Sequence, residues 1–342
     1  MRHALISAAV AAACVVAAAG PGFAQAPAPQ PDPSSANYQA TGEQDKSYTF
    51  PGTDEKIAYH IYVPTKWNKT TRLPLIVVTH GAQQAPTAPF QRPIAMPTLA
   101  KTAEERGYIV AAVTGYHANA TIVNGWNVPY KSVLAPPRPR GEANGGARRE
   151  GAPGTGQGRP GGQRTGGRGR GPAGPPATQQ DFERAEQDVL YVRDLMLKEY
   201  NADPSRVYLM GNSSGGAAVW NIAAKYPDRW TAISPSAGPI EDADFPYEKL
   251  RTIPVLVVHG DMDTTMSFDA SKAMVEHAKA KGVNATFLPV IGGQHIDAWA
   301  RPEIITQIFD FFDKYKGKQQ KTGTARRGAQ RRAPARRKAG AE

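Results

Sequence analysis

Three residues in a fixed order could do nucleophilic chemistry in this sequence. Ser213 stands in Gly211-Asn212-Ser213-Ser214-Gly215, with glycine two places before it and two places after it. A carboxylate follows in Gly260-Asp261-Met262-Asp263, and an imidazole in Gly292-Gly293-Gln294-His295. A serine hydroxyl is a weak nucleophile at neutral pH. It attacks a carbonyl carbon when a histidine takes its proton and a carboxylate fixes the histidine tautomer and stabilises the imidazolium. Either Asp261 or Asp263 could be that carboxylate. A bare G-x-S-x-G run also occurs as a simple Ser/Gly-rich turn, so the flanking elements decide.

Those flanks are informative. Residues 207–210 are apolar and β-prone, and residues 217–226 are compatible with a helix that Pro227 stops. Strand, sharp turn, helix, with serine at the apex, is the pattern of a nucleophile elbow. The turn is too tight for side chains on both flanks, which is why glycine stands on each side. The hydroxyl is then exposed above a sheet, with a helix N-terminus beneath it.

The rest of the chain alternates between the same two element types. Residues 47–62 alternate polar and apolar and predict antiparallel edge strands or a hairpin. Residues 73–79 (LPLIVVT), 108–113 and 254–259 (PVLVVH) are short, nearly continuous apolar runs, as expected of strands buried on both faces, and 285–291 is expected to be the last strand. A fifth strand is expected at 230–234. Helices are expected at 98–106, from 181 to about 200, at 267–281 and at 302–315. Alternation of this kind means βαβ units and a mostly parallel sheet with helices on both faces. Ligands in such folds bind at the carboxyl ends of the strands. His80-Gly81-Ala82, Ser213, the Asp261–Asp263 loop and His295 all fall just past a predicted strand end.

The order Ser, Asp, His at successive strand ends is that of one hydrolase scaffold. Residues 47–315, apart from an insertion, resemble the α/β-hydrolases. The likeness is strongest to secreted polyhydroxybutyrate-depolymerase-like and feruloyl-esterase-like proteins, and extends to prolyl-oligopeptidase-type catalytic domains. It is carried by LPLIVVTHGA (73–82), VYLMGNSSGG (207–216), AAKYPDRWTAISPSAG (223–238), VLVVHGDMD (255–263) and GGQHIDAW (292–299). The resemblance implies Ser213 as nucleophile, His295 as base and Asp263 as the acid, with Asp261 as the fallback. It implies an oxyanion hole from the backbone N–H groups of Ser214 and Ala82. It also implies an ester substrate, small or polymeric, with a peptidase as the runner-up.

Other residues have plainer readings. Tyr116, His117 and Trp126 follow a strand at the same end and could line an acyl pocket or pack a loop. His80 and His259 read as structural, and His277 as exposed on a helix. Glu241, Asp242 and Asp244 read as a solvated acidic loop rather than a calcium site. Without a Cys/His cluster or H-E-x-x-H no metal is expected, and without a phosphate-binding glycine motif no nucleotide cofactor.

The formal charge of +11 is unevenly placed. Residues 316–342 hold ten Lys/Arg against one acid, and residues 136–180 hold eight Arg against two acids. The remainder is mildly acidic. Residues 136–177, rich in Gly, Pro and Arg, are expected to be a disordered insertion. Residues 25–46 are expected to be a disordered linker, and 316–342 a disordered tail. Residues 1–24 read as a secretory signal: Arg2 and His3, an apolar run too short for a membrane span, then small residues for cleavage near Ala24. The single cysteine, Cys14, lies within it. Export makes specific nucleic-acid binding a poor use for the arginines, although the basic segments could hold an anionic polymer weakly. A different class of reading, a binding protein for such polymers, rests on these segments alone.

Deleting residues 136–177 and joining the ends with a short Gly/Ser linker should leave the melting temperature and turnover of a small soluble ester unchanged. Any loss on an anionic or polymeric ester should fade in high salt, because the Debye length falls from ~10 Å at 0.1 M to ~3 Å at 1 M. A large loss on the small ester at every salt concentration contradicts this reading.

Overall fold

The computed structural model describes residues 27–81, 96–115, 126, 128–136 and 178–316. The expected signal, nearly all of the insertion and the basic tail lie outside these residues.

Among the described residues, eight strands form one sheet in the order β1-β2-β4-β3-β5-β6-β7-β8. They are β1 (Gly42–Thr49), β2 (Lys56–Val63), β3 (Leu75–Thr79), β4 (Ile109–Val113), β5 (Val207–Asn212), β6 (Ala232–Ser236), β7 (Val255–Gly260) and β8 (Ala285–Val290). The β1–β2 and β2–β4 pairs are antiparallel, and every pair from β4 to β8 is parallel. The helices are α1 (Met96–Arg106), α2 (Gln179–Glu199), α3 (Ser214–Lys225), α4 (Phe268–Ala280), α5 (Asp297–Ala300) and α6 (Pro302–Asp313).

The apolar runs explain the layering. Leu75 and Val77 of β3 and Val207 and Leu209 of β5 join one core with Val189 of α2, Trp220 of α3 and Met274 of α4. Their neighbours Ile76, Val78, Tyr208 and Met210 join a second core with Leu99 of α1 and Ile308, Phe309 and Phe312 of α6. Alternate side chains of one strand thus bury against helices on opposite faces, which is why these strands read as continuous apolar runs.

The first strand begins at Gly42, inside the stretch given to a linker by composition. Its sequence, GEQDKSYT, looks like linker because its inward side chains are themselves polar. Gln44 and Lys46 are buried, and the Lys46 ammonium pairs with Glu199 at the end of α2 and lies 3.2 Å from the Tyr200 hydroxyl. Ahead of it, the Gln39 amide donates to the Glu199 carbonyl at 2.9 Å.

A second polar anchor joins this hairpin to α2. The Tyr48 hydroxyl donates to Asp188 Oδ1 at 2.6 Å. Asp188 is wholly buried. Burial pushes its carboxyl up to about 7, against the opposing pull of hydrogen bonds from Tyr48 and the Gly115 amide. A carboxyl raised in the fold takes up a proton on folding. Its contribution to stability is therefore complete below the unfolded value near 4 and is lost as pH rises through about 7. Asp188→Asn cannot ionise and should gain stability relative to the parent across that window, by on the order of 4 kcal/mol at most. Denaturant melts at pH 4, 5.5 and 7.5 would measure this. A parent-minus-variant difference that does not change with pH contradicts it.

Candidate active site

The elbow is built by close contact. β5 ends at Asn212 and α3 begins at Ser214, so Ser213 alone makes the turn. The expected helix start at Ala217 is thus three residues late. Ser213 has φ 59° and ψ −125°, a backbone region that L side chains rarely occupy. Its N–H donates to the Ser236 carbonyl at 2.9 Å, and its own carbonyl accepts from Ala217 N–H at 3.0 Å.

The glycines follow from clearance. A Cβ at Gly211 would sit 2.0 Å from Thr79 Oγ1, and one at Gly215 would sit 2.5 Å from both the Thr79 and His80 carbonyl oxygens. A Cβ at Gly238 would sit 2.4 Å from the Ser213 carbonyl oxygen. The motif accounts for the first two. The third comes from a loop whose approach to the elbow no local pattern shows.

The residues that the sequence sets far apart converge here. Ser213 Oγ is 3.0 Å from His295 Nε2, and His295 Nδ1 is 2.7 Å from Asp263 Oδ2. The carboxylate can only accept, so the Nδ1 proton faces it and Nε2 is left to accept from the serine hydroxyl. Asp263 Oδ1 also accepts the Thr265 N–H at 2.7 Å and the Met266 N–H at 3.0 Å. Asp263 has its side chain wholly buried, and burial by itself would raise its carboxyl. Hydrogen bonds from His259, His295, Met266 and Thr265 outweigh burial and hold it well below the usual carboxylate range. Asp261, the fallback acid, is exposed, and the structure brings Asp263, not Asp261, to His295.

Ser214 opens α3, so its N–H is among the donors that an α-helix leaves without an intrahelical acceptor. Ala82, Tyr116 and His117 lie outside the described residues. Trp126 is buried: its indole N–H donates to the His80 carbonyl at 3.0 Å, and its ring lies 5.2 Å from the His80 imidazole. These contacts pack Trp126 against the end of β3. His80 itself is buried, with Nε2 3.0 Å from the Thr114 carbonyl. In the acidic loop, Asp242 accepts from the Tyr247 hydroxyl at 2.5 Å and lies 2.7 Å from Nδ1 of the exposed His277. Residues 132–134 cross above the sheet, bridging to Ile240 after β6 and to Met266 after β7. A hollow of about 520 Å³ beside Asp263 is lined by Ala135, Pro136, Asp261, Thr264 and Phe268, among others.

No family model matches the sequence. NocK of Nocardia uniformis subsp. tsuyamanensis, an esterase by provisional name, is 27% identical over 126 residues, 37% of this chain and 35% of that protein. The chain therefore spans about a third of that relative's length. Among solved structures, a thermostable esterase aligns with TM-score 0.53 at 16% identity, over 80% of this chain and 63% of that one. A ferulic acid esterase aligns with TM-score 0.52 at 14% identity, over 80% of this chain and 99% of that one. The fold is that of the α/β-hydrolases. In an α/β-hydrolase sheet the antiparallel hairpin at one edge and the parallel run from β4 to β8 put every strand-end loop named above on one side.

Because Gly238 touches the elbow backbone, Gly238→Ala should destabilise the protein by about 1–3 kcal/mol, the usual cost of overpacking a close contact. Denaturant unfolding would measure it. Stability equal to the parent's contradicts the packing described.

Proposed function

We propose that this α/β-hydrolase is an exported serine hydrolase of carboxylic esters. The observation that carries the reading is the hydrogen-bonded chain from Ser213 Oγ through His295 to Asp263 Oδ2, with steps of 3.0 and 2.7 Å.

Ser213 Oγ attacks the ester carbonyl carbon while His295 Nε2 takes the hydroxyl proton. Asp263 stays ionised and stabilises the imidazolium. The carbonyl oxygen becomes an oxyanion, held by the N–H groups of Ser214 and Ala82 above the N-terminus of α3. The tetrahedral intermediate collapses, the C–O bond to the alcohol breaks, and His295 returns its proton to the departing oxygen. A water molecule then gives a proton to His295 and attacks the acyl carbon. Collapse of the second intermediate frees the carboxylic acid and restores the serine. The ester, one water molecule and the side chains named here supply every atom of this cycle.

Esterase names among the relatives and neighbours reported above support the ester reading, and the peptidase names of other solved structures with this fold keep a peptidase as the runner-up. The substrate is a small or polymeric ester. Among the described residues no helix is long and apolar enough to cross a membrane. The basic insertion and tail add at most a weak, salt-sensitive hold on an anionic polymer.

Ser213→Ala should abolish turnover of a p-nitrophenyl ester panel while leaving the melting temperature near the parent's. Asp263→Asn should lose about 10⁴-fold, as the equivalent change does in serine proteases, while Asp261→Asn stays close to the parent. A peptide panel run beside the esters should show the slower turnover. Retained activity in Ser213→Ala removes the catalytic reading, and greater damage from Asp261→Asn moves the acid.

A further inference from the structure

Asp263 has a second imidazole on the oxygen that holds His295. His259, in β7, is fully buried, and its Nε2 lies 3.0 Å from Asp263 Oδ2. Its other ring nitrogen, Nδ1, lies 2.7 Å from Ser271 Oγ, on the buried face of α4. The Phe268 ring packs edge-on against the imidazole, with centroids 5.9 Å apart.

The donor count gives this contact its meaning. An ionised carboxylate has about four acceptor sites. Thr265 and Met266 N–H groups use Oδ1, and His259 and His295 share Oδ2. Since Asp263 only accepts, His259 presents Nε2–H to it. The Ser271 hydroxyl can donate to Nδ1, so a neutral ring satisfies both contacts. Sharing Oδ2 between two N–H groups keeps the buried charge solvated. It also limits how strongly that oxygen draws on the His295 proton.

We propose that His259 is a positioning residue for the catalytic acid, with Ser271 fixing its tautomer. The inference rests on the serine-hydrolase reading. Ser271, His259, Asp263, His295 and Ser213 then form one continuous hydrogen-bonded chain. Without His259 one acceptor site of a buried carboxylate is empty, and Oδ2 serves His295 alone. The His295 imidazolium is then held more tightly, and the base returns its proton less readily.

Other charged groups surround the pair and stay unchanged in the variants below. Asp261 and Asp269 border the hollow beside Asp263. Asp297, the first residue of α5, accepts from Gln294 N–H and Arg301. A shift common to the variants therefore belongs to His259.

The test uses the full chain and p-nitrophenyl acetate. In His259→Leu the acid limb of kcat/KM against pH should move up by about one unit, and kcat/KM at pH 7 should fall about tenfold, the size expected for one lost hydrogen bond to a charged group. His259→Gln, whose amide can reach the position of Nε2, should recover most of both. Ser271→Ala should move the limb in the same direction by less. The low-field proton signal of His295 Nδ1–H should move in His259→Leu and return in His259→Gln. An unmoved acid limb in His259→Leu, or no rescue by glutamine, overturns the proposal and leaves His259 as packing. Should the leucine variant fail to fold, an unmoved limb in Ser271→Ala overturns it instead. If Ser213→Ala keeps the parent's turnover, the hydrolase reading fails separately, and the His295 signal alone decides whether His259 orients Asp263.

Discussion

A side-chain-bearing residue at φ 59° is held there against a cost of about 1–3 kcal/mol. Ser213 stays in that conformation because the chain around it leaves no alternative. β3 lies on one side, with Thr79 Oγ1 donating to the Gly215 carbonyl at 2.9 Å. β6 lies on the other, with its Ser236 carbonyl taking the Ser213 N–H. α3 starts at the next residue, and Gly238 closes the remaining space. The parallel sheet, the two cores and the glycines all bear on this one turn. Relaxing Ser213 would displace the hydroxyl from His295 and move the start of α3 with it.

Electrostatics sets the second condition. A carboxylate removed from water is costly unless its lone pairs are filled. Asp263 meets that condition with two backbone N–H groups and two imidazoles, while Asp188, more deeply buried and with fewer donors, is pushed up instead. The same residue type thus shifts in opposite directions at two buried sites, and depth of burial and donor count together separate them. The ionised one is beside the serine, and the other ties the edge hairpin to α2.

Much of this organisation can be read in the sequence. The apolar runs mark the buried strands because both of their faces are covered. The spacing of Gly211, Ser213 and Gly215 marks the elbow because its packing excludes Cβ atoms. Ser213, Asp263 and His295 are legible because each follows a strand. Other features depend on contacts between distant segments. The first five residues of β1 read as linker, because Gln44 and Lys46 are buried through Glu199 and Tyr200, about 150 residues away. α3 starts early because tertiary contact, not helix propensity, sets its first turn at Ser214, Gly215 and Gly216. His259 reads as an ordinary strand-end histidine, although its position four residues before Asp263 was a usable signal. Trp126 faces His80 rather than open space, and periodicity does not encode that direction.

In the proposed mechanism His295 and Asp263 make Ser213 an activated nucleophile. Covalent capture by a fluorophosphonate reads that property without requiring the natural substrate. Intact-mass spectrometry of the full chain, followed by peptide mapping, should find one adduct per molecule, on Ser213. Labelling should be slowed strongly in His295→Ala while the fold is kept. No adduct, an adduct on another residue, or labelling as fast without His295 would contradict the account.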